Sequence, residues 1–268
     1  MLTNLDALET SLDERIEEAP SPILQFRRPI SIETEDRLQL TFAQQVYLPI
    51  RRFLDFALAL VLAAVAVPVV ALAALAVRLT SRGPAFYTQV RTGKGGRPFT
   101  IYKLRSMIHK CESLTGPRWT MPGDPRITPI GWLLRFTHID ELPQLLNVLK
   151  GEMSLIGPRP ERPEFVAELE QLIPDYAERH CVTPGITGLA QVQLPPDTDV
   201  ESVRRKLIFD LHYIRNISFW LDVRILMATA LHMLGVSFQR IRRLGVAPEP
   251  DPADEPSMDR SLVRQRAA

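Results

Sequence analysis

The sequence predicts an α/β protein, predominantly helical and embedded in a membrane through one N-terminal helix. Three observations predict it: an unbroken apolar run over residues 56–77, short β-rich segments punctuated by glycine over 81–125, and leucines at helical spacing from residue 142 onward. The chain has 268 residues, 46% of them apolar, which is enough to bury a core and excludes a disordered polymer. Its 32 basic and 31 acidic residues nearly cancel, which argues against a nucleic-acid binder. The charge is nevertheless segregated, because residues 1–50 hold nine acids and four bases whereas residues 81–135 hold ten bases and two acids. That second stretch is suited to meet anions. Cys111 and Cys181 stand in no CxxC or Cys/His spacing, so neither a disulfide framework nor a zinc site is expected, and a reducing compartment is.

Residues 1–50 read as an acidic, mostly loose arm with one short helix over 4–18, and they lack the basic-then-apolar order of a signal peptide. Residues 51–80 form the membrane helix. Its 22 residues from 56 to 77 are drawn only from Phe, Ala, Leu, Val and Pro, and as a helix they reach the roughly 30 Å of a bilayer core. Pro68 removes a backbone hydrogen bond near the centre and favours a kink. Arg51 and Arg52 precede the run and Arg78 and Arg82 follow it, so charge sets no inside–outside bias. A kinked, re-entrant helix satisfies both flanks and is expected in preference to a single span.

Residues 81–243 form the main domain. AFYTQV, the loop TGKGGRP and FTIYKLRSM read as two strands around a turn. Helical spacing returns after Thr128, and Leu142, Leu145, Leu146 and Leu149 fall at i, i+3, i+4 and i+7 with Gly151 placed to stop the helix, so all four are expected in the core. Residues 161–181 read as a helix, PGITG at 184–188 as a turn, and 200–243 as amphipathic helices lying in the membrane interface and ending in a basic run. Residues 244–268, rich in proline and charge, read as a disordered tail.

Asp140 and Glu141 stand immediately before the leucine stripe, with Pro143 tolerated in the first turn. Capping explains an Asp there. It does not explain the adjacent Glu141, the preceding Arg135 and the following GlyProArgPro run that ends at Pro160. A helix N-terminus also attracts anions, and a phosphate beside Asp140 would call for a cation between the two negative groups. Magnesium fits, because it joins one or two carboxylates to substrate phosphates and keeps its remaining water.

The blocks RRFLDFALAL, SRGPAFYTQVRTG, FTIYKLRSM, DPRITPIGWLLR, DELPQLLNVLKGEMSLIGPRP, PGITGLAQV and YIRNISFWLDVRIL occur in this order between about residues 51 and 234. Through them the chain resembles the bacterial sugar transferases of the monotopic phosphoglycosyl transferase family. The resemblance implies transfer of a phospho-sugar from a nucleotide diphospho-sugar to polyprenyl (undecaprenyl) phosphate, with release of a nucleoside monophosphate. Such a step initiates exopolysaccharide, O-antigen or capsule-type glycans. It further implies Asp140 as a covalent nucleophile, Glu141 as its catalytic partner, and Mg2+ held by Asp140. Lys103, Arg135, Arg159 and Asp222 match family positions at or near the site. Arg105, Ser106 and Pro160 lie in the same motifs and join them as candidate substrate contacts, the cations to hold diphosphate. The implied setting is the cytoplasmic face of the bacterial inner membrane, in contact with its lipid, with a homo-oligomer left open. Two rivals remain at this level, a transferase that moves only the sugar and a non-catalytic adaptor of a polysaccharide-assembly complex. The chain departs from the family pattern at Val67-Pro68, where Ser-Pro is common, in the segment after PGITG, and at His138, where a small residue is common.

Overall fold

The computed structural model describes residues 41–113, 116, 118–121 and 123–250. The helix expected over 4–18 and the tail from 251 lie outside them. Helix α1, Phe42–Thr80, is 39 residues long and contains Pro49 and Pro68. It starts nine residues before the expected boundary because Thr41 and Gln44 form a capping box: the Gln44 amide donates to Thr41 Oγ1 at 3.3 Å and the Thr41 amide to Gln44 Oε1 at 2.9 Å. This Thr-x-x-Gln signature is visible in the sequence. Beyond that start most large apolar side chains of α1 are exposed, among them Val61, Val65, Leu72 and Leu79, and the helix is long and apolar enough to cross a membrane.

The rest of the described chain holds α1 at both ends. Near its start, Gln44 Nε2 donates to the carbonyls of Ile214 and Arg215. Tyr47 OH donates to Asp222, and Arg51 pairs with Asp222 at 2.9 Å. Ser154 Oγ accepts from Arg51 at 2.7 Å and donates to Asp55 at 2.6 Å. At its far end Val77 packs against Leu104 and Leu134, while Arg105 donates to the Ser81 and Arg82 carbonyls. Arg51 and Arg52 are therefore not free flanking charges: the first is buried in an ion pair and the second donates to the Gly151 carbonyl.

Strands β1 (Phe86–Thr92) and β2 (Pro98–Leu104) form an antiparallel hairpin that pairs Tyr87 with Lys103. Helix α2, Pro129–Phe136, is capped by Thr128. A 3-10 turn, Ile139–Gln144, then runs into α3, Leu145–Lys150, which Gly151 ends in the left-handed conformation. Only part of the leucine stripe is core. Leu145 is buried, but Leu146 is half exposed, because the tighter 3-10 pitch through Pro143 breaks the even helical phase assumed across residues 142–149.

The PGITG segment is not merely a turn. Its residues Gly185–Thr187 form β4, parallel to β3 at Ser154–Ile156. A Cβ on Gly185 would collide with the backbone of Ile156 and Gly157, and one on Gly188 with the Gly157 carbonyl, so glycines let the two segments interlock. The helix expected over 161–181 is interrupted. Helix α4, Pro163–Leu172, gives way to a 3-10 turn at Tyr176–Cys181 after Pro174 and the left-handed Asp175. Helices α5 (Val200–Arg215), α6 (Phe219–Met233) and α7 (Phe238–Arg243) follow. They close the main core around Leu155, Tyr176, Leu189, Leu207, Leu211 and Ile225. The tail is docked as far as residue 250 instead of leaving the fold at 244: Ala247 is buried and Gln193 Nε2 donates to the Pro248 carbonyl at 2.7 Å.

Candidate active site

Asp140 and Glu141 sit inside the 3-10 turn, not at the N-cap of a regular helix; the cap position is His138, an exposed residue in the left-handed region. Two neighbouring segments converge on Glu141. From β2, Lys103 Nζ donates to its Oε1 at 2.8 Å, and from the loop after β3, Arg159 Nη2 donates to the same oxygen at 2.5 Å. Burial would raise the Glu141 carboxyl, but Arg159 and Lys103 outweigh it and hold the group well below the usual carboxylate range. Lys103 is lowered by its own burial against the pull of Glu141. Glu141 is thereby a fixed anion, hydrogen-bonded through both oxygens.

Asp140 is the opposite case. It is 6% exposed, and among the described residues no hydrogen bond reaches its carboxylate. Burial, reinforced by the charge of Glu141, raises it to about 6 against the attraction of Lys103, Arg135 and Arg159. Two adjacent carboxylates pushed apart in this way have separate tasks. Glu141 is tied to two cations, whereas the Asp140 carboxylate is not. Three cations face two carboxylates, so one positive charge is left for an incoming anion. Of the two cations on Glu141, Arg159 has more access to solvent, its side chain 34% exposed compared with 16% for Lys103.

The fold aims each of these groups. Gly131 lets α2 press against the Ser106 backbone, where a Cβ would collide, and this brings Arg135 Nε within 2.8 Å of Ser106 Oγ. Arg159 leaves the interlocked β3–β4 pair with its carbonyl held by Arg179, which pairs with Asp210 at 2.7 Å. The Pro160 carbonyl accepts from Arg91 at 3.1 Å. Asn147, fully buried, ties α3 to β2 by donating to the Thr100 carbonyl at 2.7 Å and accepting from the Tyr102 amide.

Of the residues singled out in the sequence, Lys103, Ser106, Arg135, Asp140, Glu141 and Arg159 come together, with Pro160 behind Arg159. Two are engaged elsewhere. Asp222 is buried against α1, accepting from Tyr47 and Tyr213 at 2.8 Å each and pairing with Arg51. The Arg105 guanidinium closes the end of α1 on Ser81 and Arg82. Sequence reasoning missed Asn147, Arg91 and the Arg51–Asp55–Ser154 cluster. Asn147 as the lone polar residue among leucines, and Asp55 as the lone acid beside the apolar run, were the available signals.

The donor set suits magnesium. Among the described residues no group of three or more His, Cys, Asp or Glu side chains could hold a metal by itself. Asp140 offers one carboxylate without a hydrogen-bond partner, which fits an ion that draws its other ligands from phosphate and water. Asp140 would hold it.

A paired aspartate and glutamate set among three cations, one carboxylate locked and the other without a hydrogen bond, is the candidate active site. The bacterial sugar transferase family matches residues 46–236, and the chain belongs to that family. It is 43% identical over 195 residues to a UDP-N-acetylgalactosamine-undecaprenyl-phosphate N-acetylgalactosaminephosphotransferase of Aeromonas hydrophila, an alignment covering 73% of this chain and 46% of the relative. It is 45% identical over 186 residues to a UDP-glucose:undecaprenyl-phosphate glucose-1-phosphate transferase of Caulobacter vibrioides, covering 69% of each. An exopolysaccharide production protein of Rhizobium leguminosarum is 40% identical over 192 residues, 70% of this chain and 96% of the relative. The chain thus spans about half the length of the Aeromonas relative and nearly the whole of the Rhizobium one.

Proposed function

We propose that the protein transfers a sugar 1-phosphate from a nucleoside diphosphate sugar to undecaprenyl phosphate, with Asp140 as nucleophile. The observation that carries this reading is the unequal pair: Glu141 is neutralised by Lys103 and Arg159, while the buried Asp140 carboxylate has no hydrogen bond to dull it. In the first step an Asp140 oxygen attacks the phosphorus that bears the sugar. The bond from that phosphorus to the bridging oxygen breaks, and nucleoside monophosphate leaves with the electron pair. In the second step an oxygen of the lipid phosphate attacks the same phosphorus, forms the diphosphate and returns the carboxylate to Asp140. Arg159 and Arg135 bind the phosphoryl oxygens, and Lys103 through Glu141 keeps Arg159 in line. Magnesium, when bound, neutralises diphosphate charge. Splitting the transfer lets a water-soluble donor and a lipid acceptor use one carboxylate in turn. The relatives named above use different sugars, so the donor sugar is left open and the nucleotide is taken as uridine.

The two anchored ends of α1 support a re-entrant helix. From Gln44 to Ser81 a straight helix would extend about 55 Å, whereas a globular domain of some 170 residues is about 40 Å across. On this reading a bend at Pro68, inside α1, brings both anchored ends to one domain on one face of the membrane. On this reading that face is the cytoplasmic side of the inner membrane, where nucleotide sugars are found.

Mass spectrometry of the intact enzyme tests the chemistry. Donor and magnesium without lipid acceptor should release about one equivalent of nucleoside monophosphate per site and add one phospho-sugar to Asp140. Acceptor-dependent turnover without that adduct, under conditions where it survives, refutes the covalent step; release of nucleoside diphosphate would identify a sugar-only transferase.

A further inference from the structure

Helix α2 turns an unusual face to the outside. Trp132 and Phe136, one turn apart, stack with ring centroids 5.5 Å apart and planes within 7°, yet they are 62% and 69% exposed. A stacked pair that no part of the described chain covers is a flat apolar plate. Its position is specific. At about 100° per residue, Arg135 falls between the buried Gly131 and Leu134 side of α2 and the exposed Trp132 and Phe136 side. The plate therefore begins where the Arg135 cation ends, and that cation is hydrogen-bonded to Ser106 and acts on Asp140. The opposite, buried side of α2 seats the helix on the end of α1, where Leu134 packs on Val77.

We infer that Trp132 and Phe136 form the subsite for the first isoprene units of the acceptor, holding the lipid tail while its phosphate lies at Arg135. The inference rests on the function proposed above and adds to it where the tail is read. Charge complementarity names the occupant. An apolar chain with one anionic end matches an apolar plate with one cation at its edge, whereas plain burial in the bilayer needs neither the parallel rings nor their placement beside Arg135. Two rings supply apolar contact worth roughly two methylene groups, or at least about tenfold in affinity, to a chain that reaches past its first isoprene unit.

The test uses the full chain in detergent micelles with two soluble acceptors, dimethylallyl phosphate of one isoprene unit and geranyl phosphate of two. The wild-type protein should prefer geranyl phosphate by about tenfold or more in kcat/KM, and Trp132→Ala with Phe136→Ala should reduce that ratio to near unity. If the alanine pair fails to fold, Trp132→Leu with Phe136→Leu keeps the apolar volume without the plate and should lower the ratio at least threefold. A wild-type ratio of one overturns the inference, as does a ratio that survives in either folded double variant. Loss of binding to vesicles of anionic phospholipid with the micellar preference intact would assign the face to the bilayer instead. Acceptor-independent nucleotide release by the wild-type protein is scored separately. Its absence refutes the covalent reading, whereas its presence with no tail preference refutes only the plate.

Discussion

Replacing Asp140 with asparagine should abolish activity and stabilise the protein. The carboxyl rises from 3.8 to about 6 because burial and the neighbouring Glu141 charge disfavour its ionised form. A rise of about two pH units corresponds to roughly 3 kcal/mol at 1.36 kcal/mol per unit. The sign follows from linkage: a carboxyl whose folded value exceeds its unfolded value costs folding energy above the folded value, and that cost vanishes below the unfolded value. The ionised Asp140 therefore destabilises the protein by about 3 kcal/mol above pH 6 or so, progressively less from there down to about pH 4, and not at all in stronger acid. Asparagine imitates the protonated acid in shape and stays neutral. At pH 8 Asp140→Asn should unfold about 6–12 °C higher than the wild-type protein, given roughly 2–4 °C per kcal/mol for a domain of this size. At pH 3.5 the two should unfold together. Thermal unfolding of both proteins in one detergent, followed by circular dichroism at the two pH values, provides the measurement. An asparagine variant no more stable than wild type at pH 8, or equally stabilised at both, would show that Asp140 is not held at a cost for its chemistry.

Four further outcomes follow from the structure. Acceptor-independent nucleotide release should fall about tenfold per pH unit below pH 6 as Asp140 takes up its proton, with a flat profile removing Asp140 as the titrating nucleophile. Arg159→Lys keeps a charge near Glu141 but loses the fork that reaches both carboxylate oxygens, so kcat/KM for the donor should drop at least about thirtyfold, and retention of near wild-type values would reduce Arg159 to a point charge. Arg51→Ala strands the buried Asp222 and should lower stability by about 3–5 kcal/mol in denaturant unfolding, so an unchanged midpoint would deny that this pair anchors α1. With Cys111 and Cys181 replaced by serine, single cysteines at the exposed positions Ala43 and Arg82 should both label only from the cytoplasm, and labelling from opposite sides would establish a spanning helix.

Patterns complete within a few consecutive residues were legible in the sequence. The 22-residue apolar run, the hairpin around Gly95 and Gly96, the stop at Gly151 and the adjacent Asp140 and Glu141 all depend on local chemistry, and the structure has α1, β1 with β2, and the end of α3 where that chemistry places them. The Thr41 and Gln44 box was equally local and would have moved the start of α1 to residue 42. What the tertiary structure alone decided is which charges meet. Arg105 and Arg135 both follow from the sequence as basic residues near the motif, but Gly131 on Ser106 draws one toward Asp140, while the end of α1 takes the other. Asp222 looked equally available for the site until α1 placed Arg51 and Tyr47 against it. PGITG reads as a turn because of its proline and glycines, and it becomes a strand because it pairs with Ser154–Ile156, 31 residues earlier, where only glycines at 185 and 188 fit against Gly157. The unequal fate of Asp140 and Glu141 has the same origin. Adjacent carboxylates are alike in a sequence, and only the approach of Lys103 and Arg159 to one of them, from segments 38 and 18 residues away, leaves the other free.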